Sequence, residues 1–452
     1  MIVFKGGTVI SAAGMEPKDV YVDGGRIAPP GPADKVVDVA GKLLFPGFID
    51  AHTHMDMPVS GTVTADSFPT GTAAAVAGGT TVILDFATQD RGHTLAEALD
   101  LWHTRADGRC SCDYGFHMAV TDWNDATRRE LRDMVAAGVT SFKGYMAYDA
   151  LRLNDNEIRA FLAAAGELGG LVGMHCELGD MVTENVAALL AAGKTGPEWH
   201  PVSRPNPVEA LAVERFLALA READGRPWVV HLSTSEGLSH IDAARTAGQR
   251  VLVETCPQYL TLTDEVYGRP DFAGAKFVCS PPIRSAADVD ALSRAVEDGR
   301  IDILSTDHCS FNFKGQKELG RKDFSRIPNG LPGVEFRPAL VWSRGVVPGH
   351  ITPADMCRLL SETPARAFGL WGRKGALAEG FDADIVVWDP GFRGVLDPAV
   401  QETECDYSPW EGLALTGRAE AVYLRGELCA ADGRCIRRGR GEYLSRTIPP
   451  LQ

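Results

Sequence analysis

The sequence contains no apolar run approaching the roughly 20 residues that a helix needs to cross a bilayer, so no membrane association is expected. Its opening, MIVFKGGTVISAAGM, has a single lysine and two early glycines where a secretory leader would need a basic segment followed by unbroken apolar residues. No basic cluster interleaved with aromatics occurs, and a net charge of −15 disfavours a nucleic-acid surface. The ten cysteines include no C-x-x-C pair, and only Cys110 and Cys112 lie close together. Others fall in apolar strand-like stretches (Cys176, Cys256, Cys279), which predicts reduced, buried thiols in a cytoplasmic protein and not a disulfide framework. Gly193-Lys194-Thr195 is not a phosphate-binding loop, because Ala188 stands where that loop needs glycine and no strand precedes it.

What is present is an ordinary globular composition, 45% hydrophobic and 23% charged, over 452 residues. That length allows one large domain with a smaller one, or about three ordinary domains. Residues 1–46 read as short strands separated by Gly, Pro and Asp, and similar segments return near the end, at 383–388, 421–424 and 426–428. Two terminal β pieces, 1–46 and 375–440, are expected to build one small sandwich, leaving 441–452 as a tail. Between them, in 47–374, strand and helix patterns alternate. Strands are expected at the stretch ending in His52 and His54 and at 81–86, 114–120, 139–146, 171–177, 228–233, 251–256 and 303–308. Helical spacing covers 95–105, 125–137, 155–168, 208–222 and 286–298. Eight βα units over roughly 300 residues predict an α/β fold, a (β/α)8 TIM barrel. A doubly wound open sheet is the alternative, but no G-x-G-x-x-G follows the first strand.

Such a barrel places its chemistry at the C-terminal ends of the strands. The first strand ends at His52 and His54, the fourth carries Lys143, the fifth and sixth end at His175 and His231, and the eighth ends at Asp307. Residues i and i+2 of a strand point the same way, so His52 and His54 can reach one metal ion. Any one of these groups would ordinarily be a satisfied core residue, but six converging on one mouth point to a site. Four histidines and an aspartate exceed the three protein ligands typical of one catalytic zinc, so two metals are expected. Paired dications repel and need an anionic bridge. Lys143 has the wrong charge unless its amine has reacted with carbon dioxide to give a carbamate; otherwise it is a snorkelling or ion-pairing lysine. His117 and His308 are expected in core or supporting positions, and Cys176 and Cys309 face away from their site neighbours.

The ordered series GFIDAHTH, SFKGYMAY, MHCE, VVHLS, VETCPQYL, SPPIR, STDHC and IPNGLPGVE resembles the hydantoinase and dihydropyrimidinase family of the amidohydrolase superfamily across nearly the whole chain. The resemblance implies two divalent ions, zinc first with manganese or cobalt as substitutes. His52, His54 and Asp307 would hold the more buried ion, His175 and His231 the more exposed one, and carboxylated Lys143 would bridge them. It further implies that a metal-bridging hydroxide attacks a cyclic amide or ureide, giving an N-carbamoyl amino acid, with Asp307 moving the proton. Tyr148 would donate to the oxyanion, while backbone groups of Ser280 and Asn329 hold the ring's amide face. A homotetramer is implied as well. Dihydroorotases typically carry H-x-H-x-R, whereas Asp56 stands here in the arginine's place and would repel a substrate carboxylate. Allantoinase is a nearer alternative, and a non-enzymatic dihydropyrimidinase-related structural protein is an alternative of another class. Leu178 follows Glu177 where the family often has asparagine. Met55, Met57, Tyr145 and Leu151 are expected to lodge a ring substituent.

Overall fold

The computed structural model describes residues 1–59 and 61–449. Its central sheet has eight parallel strands that neighbour one another in chain order: Phe48–Thr53, Thr80–Thr88, Asp113–Ala119, Ser141–Tyr145, Leu171–His175, Pro227–Val229, Leu252–Thr255 and Ile303–Leu304. The last strand returns to the first through a parallel bridge between Thr53 and His308. There the His54 N–H donates to the His308 carbonyl at 2.8 Å and the His308 N–H donates to the His52 carbonyl at 3.3 Å. Below this bridge the buried Arg337 guanidinium donates to the carbonyls of Ile49 (2.8 Å) and Leu304 (2.9 Å), one from each side of the seam. The barrel is therefore closed, as expected.

The helices between strands follow the apolar spacing of the sequence. Asp155–Glu167 buries Ile158, Phe161, Leu162 and Ala165, and the Asn154 side chain accepts from the backbone of Asn156 and Glu157 to cap its start. Thr94, Asn124 and Ser285 cap Leu95–Ala106, Asp125–Ala136 and Ala286–Glu297 in the same manner. Gly179–Ala191 and Ser235–Thr246 fill two more of the intervals between strands, and Phe68–Ala77 was not expected either. Phe68–Ala77 escapes the sequence pattern because FPTGTAAAVA is buried on nearly every side and has no polar stripe to give a 3.6-residue period. No helix among the described residues is long and apolar enough to cross a membrane.

The two chain ends form a sandwich. A four-stranded sheet runs in the order Arg26–Ala28, Val20–Asp23, Ile2–Lys5, Lys35–Asp38. A seven-stranded sheet joins Leu43–Pro46 and Thr8–Ser11 from the N-terminal end to Ile385–Val395 and Ala414–Leu424 from the C-terminal end. Phe4, Val20, Val22, Ile27, Leu44, Ile385, Val387 and Tyr423 fill the space between them. The chain then returns to the barrel, where the Leu444 N–H donates to the Tyr114 carbonyl at 2.7 Å and the Leu444 side chain is buried. The last three positions of the expected tail lie outside the described residues.

At the opposite end of the barrel from the histidines, buried Lys374 joins barrel to sandwich. Its ammonium lies 2.6 Å from Asp113, 2.9 Å from Asp382 and 2.7 Å from Asp384. Removing one member of such a cluster leaves buried charges unpaired. Lys374→Met is therefore expected to lower stability by about 3–5 kcal/mol in reversible denaturation while leaving the histidine-bearing end of the barrel unchanged. An unchanged unfolding midpoint would refute the pairing argument.

Candidate active site

The first strand bends as it reaches the mouth. Asp50 pairs with Ile83, yet Thr53 pairs with Asp85, so one extra residue bulges on the first strand. The inward-facing set thereby passes from Ile49 and Ala51, which pack in the barrel core, to His52 and His54, whose rings lie 4.6 and 5.1 Å from that of Phe86. Asp307 arrives from beyond the eighth strand, which stops at Leu304. Its φ of 52° is a left-handed conformation that turns the chain out of the ladder. One carboxylate oxygen, Asp307 Oδ1, lies 3.2 Å from His52 Nε2 and 3.1 Å from His54 Nε2. These three groups place ligand atoms within 4.8 Å of one another.

The second pair sits beside the first. His231 follows a strand that ends at Val229 and has φ 39°, again a left-handed turn into the mouth. Its ring lies 5.5 Å from that of His52, and His231 Nε2 is 3.0 Å from His175 Nδ1. His175 Nε2 lies 2.8 Å from Glu177 Oε2. Burial opposes the charge of Glu177, but Arg204 and His175 outweigh it and hold the carboxyl at about 2. A carboxylate there accepts a hydrogen bond from His175 Nε2–H, which keeps the proton on Nε2 and leaves the Nδ1 lone pair facing His231. Burial first, and then Lys143, hold His52 and His231 well below the usual imidazole range, so both rings are neutral and able to coordinate.

Lys143 is buried within reach of both pairs. Its Nζ stands 5.1 Å from the Phe86 ring and 5.5 Å from that of Tyr145. Burial lowers it to about 8 against the opposing pull of Asp307 and Glu254, so a neutral amine is accessible near neutral pH. The strand run predicted through residues 139–146 is shorter, Ser141–Tyr145, with Lys143 at its centre.

Tyr148 lies on the loop that follows, with φ 68°, its ring 5.2 Å from that of His175. Burial pushes its phenol up to about 12, so the hydroxyl keeps its proton, and the side chains of Ser280 and Asn329 reach that hydroxyl. Asn329 Nδ2 in turn donates to Ser280 Oγ at 3.0 Å. All the expected site residues thus meet at one mouth. The apolar lodging is revised: Met55 is fully buried in the barrel-helix core, where a Cβ on Gly71 would come within 2.2 Å of its sulfur, and only Met57, Tyr145 and Leu151 remain available.

His117 and His308 take supporting positions, as expected. His117 Nε2 bonds the Ala51 carbonyl at 3.0 Å and its Nδ1 lies 2.6 Å from Ser141 Oγ. His308 Nδ1 accepts from Gly333 and Val334, and its Nε2 is 3.1 Å from Asp66. Sequence reasoning missed Glu254, whose Oε1 lies 2.8 Å from His52 Nδ1 and fixes which nitrogen faces Asp307. Its signal was present, an acid interrupting the apolar strand Leu252–Thr255. Arg204, which holds Glu177, had none.

Whether these residues suit a cation can be judged from unmet demand. His52 Nε2, His54 Nδ1, His231 Nδ1 and Glu254 Oε2 are buried and lack hydrogen-bond partners. Burial pushes the Glu254 carboxyl well up, with Lys143 pulling the other way and Asp307 adding to the rise. Lone pairs and acids gathered with so little positive charge fit divalent cations.

A closed barrel with a His-x-His pair, an aspartate from the last strand and two further histidines around a buried lysine defines a metal-site barrel. The sequence matches the model of the Amidohydrolase family over residues 43–429. It is 45% identical over 456 residues to a D-hydantoinase of Streptomyces coelicolor, covering 98% of this chain and 97% of that one. A D-hydantoinase of Ralstonia pickettii is 41% identical over 451 residues, covering 98% of each chain. The crystal structure of a dihydropyrimidinase from Brevibacillus agri superposes with a TM-score of 0.98 at 40% identity, covering 100% of this chain and 99% of that one. The chain belongs to the amidohydrolase superfamily, in its hydantoinase and dihydropyrimidinase family. Membership implies a divalent metal, and the group His52, His54 and Asp307 is the arrangement that fits one.

Proposed function

We propose that the protein is a binuclear-metal hydrolase of cyclic amides, opening hydantoin or dihydropyrimidine rings to N-carbamoyl amino acids. The observation that carries this reading is the gathering of His52, His54 and Asp307, of His175 and His231, and of the buried Lys143 at one barrel mouth, in a chain alike over its whole length to hydantoinases. In this reading His52, His54 and Asp307 hold one ion, His175 and His231 the second, and a carbamate on Lys143 joins both. Bound there, zinc or a similar ion supplies Lewis acidity and a nucleophile at neutral pH. The neutral amine that burial favours on Lys143 is the form that reacts with carbon dioxide.

The chain's own groups do the remaining work. Asp307, less buried than its histidine neighbours, accepts a proton at its carboxylate and returns it to the departing ring nitrogen. Tyr148 retains its proton and donates to the developing oxyanion, while Ser280 and Asn329 orient the ring beside it. The Phe86 ring packs against those of His52 and His54 and, with the Tyr145 ring, lies close to Lys143 Nζ. Glu254 and Glu177 fix the tautomers of His52 and His175. A homotetramer and a cytoplasmic setting belong to the same reading, the latter supported by ten free cysteines.

The test is a hydrolysis panel of hydantoin, 5-aryl and 5-alkyl hydantoins of both hands, dihydrouracil and allantoin with metal-loaded enzyme. We expect 5-substituted hydantoins to be turned over fastest. Allantoin as the clearly preferred substrate, or no ring opening by protein loaded with metal and bicarbonate, would overturn the reading.

A further inference from the structure

Lys317 is fully buried, and its ammonium joins the two segments that carry Ser280 and Asn329. Nζ donates to the carbonyls of Val278 (2.7 Å), Pro328 (2.6 Å) and Gly330 (2.8 Å). An ammonium has three protons, and all three are used on backbone oxygens. Two of those oxygens flank Asn329, and the third lies two residues before Ser280. The same strap is reinforced by the Gly330 N–H, which donates to the Val278 carbonyl at 3.0 Å. On the other side, His200 Nε2 donates to the Cys279 carbonyl at 2.8 Å.

These bonds act on particular peptide groups. The Pro328 carbonyl and the Asn329 N–H belong to one peptide unit, and the Asn329 carbonyl and Gly330 N–H to the next. Lys317 holds the first by its oxygen, and Val278 holds the second by its N–H. Likewise the Cys279 carbonyl that His200 grips shares its peptide with the Ser280 N–H. Hydrogen bonding at one end of a peptide polarises the other, strengthening the donor or acceptor left free. Meanwhile the surroundings of Lys317 are those in which a lysine is costly to keep: the side chain is fully buried and the Phe311 ring lies 5.6 Å away. A methionine would satisfy packing alone there without desolvating a charge.

We propose that Lys317 is a positioning residue for substrate recognition, fixing the backbone of Ser280 and Asn329 in the register and polarity that a cyclic amide's N–H and carbonyl groups require. This rests on the ring-opening reading above and extends it to a residue that touches neither metal nor substrate. The expected consequence is selective. Loss of Lys317 weakens recognition of the ring's amide groups and leaves the histidines, Asp307 and Lys143 in place.

The experiment compares wild type and Lys317→Met, both metal-loaded, on a 5-substituted hydantoin and on its two ring-N-methyl analogues, which lack one recognised N–H each. We expect Lys317→Met to keep its metal content and to raise KM for the parent hydantoin about tenfold or more, with a smaller change in kcat. The preference of wild type for the parent over at least one methyl analogue should shrink by a similar factor, a change that general loosening would not produce. A folded, metal-replete Lys317→Met with unchanged KM and preference overturns the proposal, as does a parallel fall on all three substrates. Should Lys317→Met fail to fold, Lys317→Gln, which retains two donors in the polar cradle, is read by the same criteria. If wild type opens none of these rings, it is the functional reading that fails.

Discussion

Lys143→Ala is expected to lower kcat/KM on the best hydantoin by about a thousandfold or more and to leave the protein with fewer than two tightly bound ions. The amine of Lys143 is buried close enough to His52, His231 and Asp307 to act on their charge, and a carbamate there would supply the anion that two ions need. Two dications about 4 Å apart repel by about 17 kcal/mol at an effective dielectric of 20, so a paired site without an anionic bridge holds its second ion weakly. The check is metal analysis of the purified variant alongside steady-state rates. Small carboxylic acids should restore part of the activity by occupying the space that the truncated side chain leaves. A variant that binds both ions and hydrolyses cyclic amides at the wild-type rate would remove the bridge from the account even if the histidine assignments stand.

Asp307→Asn should lower kcat by about a hundredfold to ten-thousandfold with KM little changed. Asparagine keeps the size of the side chain and a neutral oxygen for His52 and His54, which approach Asp307 Oδ1 at 3.2 and 3.1 Å. What it cannot do is accept a proton and pass it to the leaving nitrogen. Metal content and substrate binding should therefore suffer less than turnover. If kcat is unchanged while metal is retained, the proton is carried by another group and Asp307 is a ligand only.

The barrel was legible because its strands and helices alternate with clear periods, and the sandwich because its short strands recur at both chain ends. The histidines, Lys143 and Asp307 stood out as candidates because each interrupts an apolar run. Three things escaped the pattern for physical reasons. Phe68–Ala77 is apolar all round, so it carries no amphipathic period. The ends of the sixth and eighth strands were placed too far along, since residues 231 and 307 take left-handed φ values that no hydrophobicity pattern records. Glu254 and Arg204 act through partners remote in sequence, and Lys317 through backbone carbonyls, so a single sequence shows the charge without its destination. Met55 was misjudged for the same kind of reason, its fate being decided by the close approach of Gly71.

The bridge between Thr53 and His308 also bears on how this protein comes to exist. The proposed ligands at the two margins of one sheet, His52 and His54 at its beginning and Asp307 beyond its end, have no reason to meet until every intervening strand is in place. The proposed buried ion site is then not a nucleus around which the chain collects but a lock that engages at the final step, when ring closure has already met its loop entropy. Ribosome-bound or truncated chains lacking the eighth strand would carry the His-x-His sequence without its affinity, so that metal capture reports completion of the barrel.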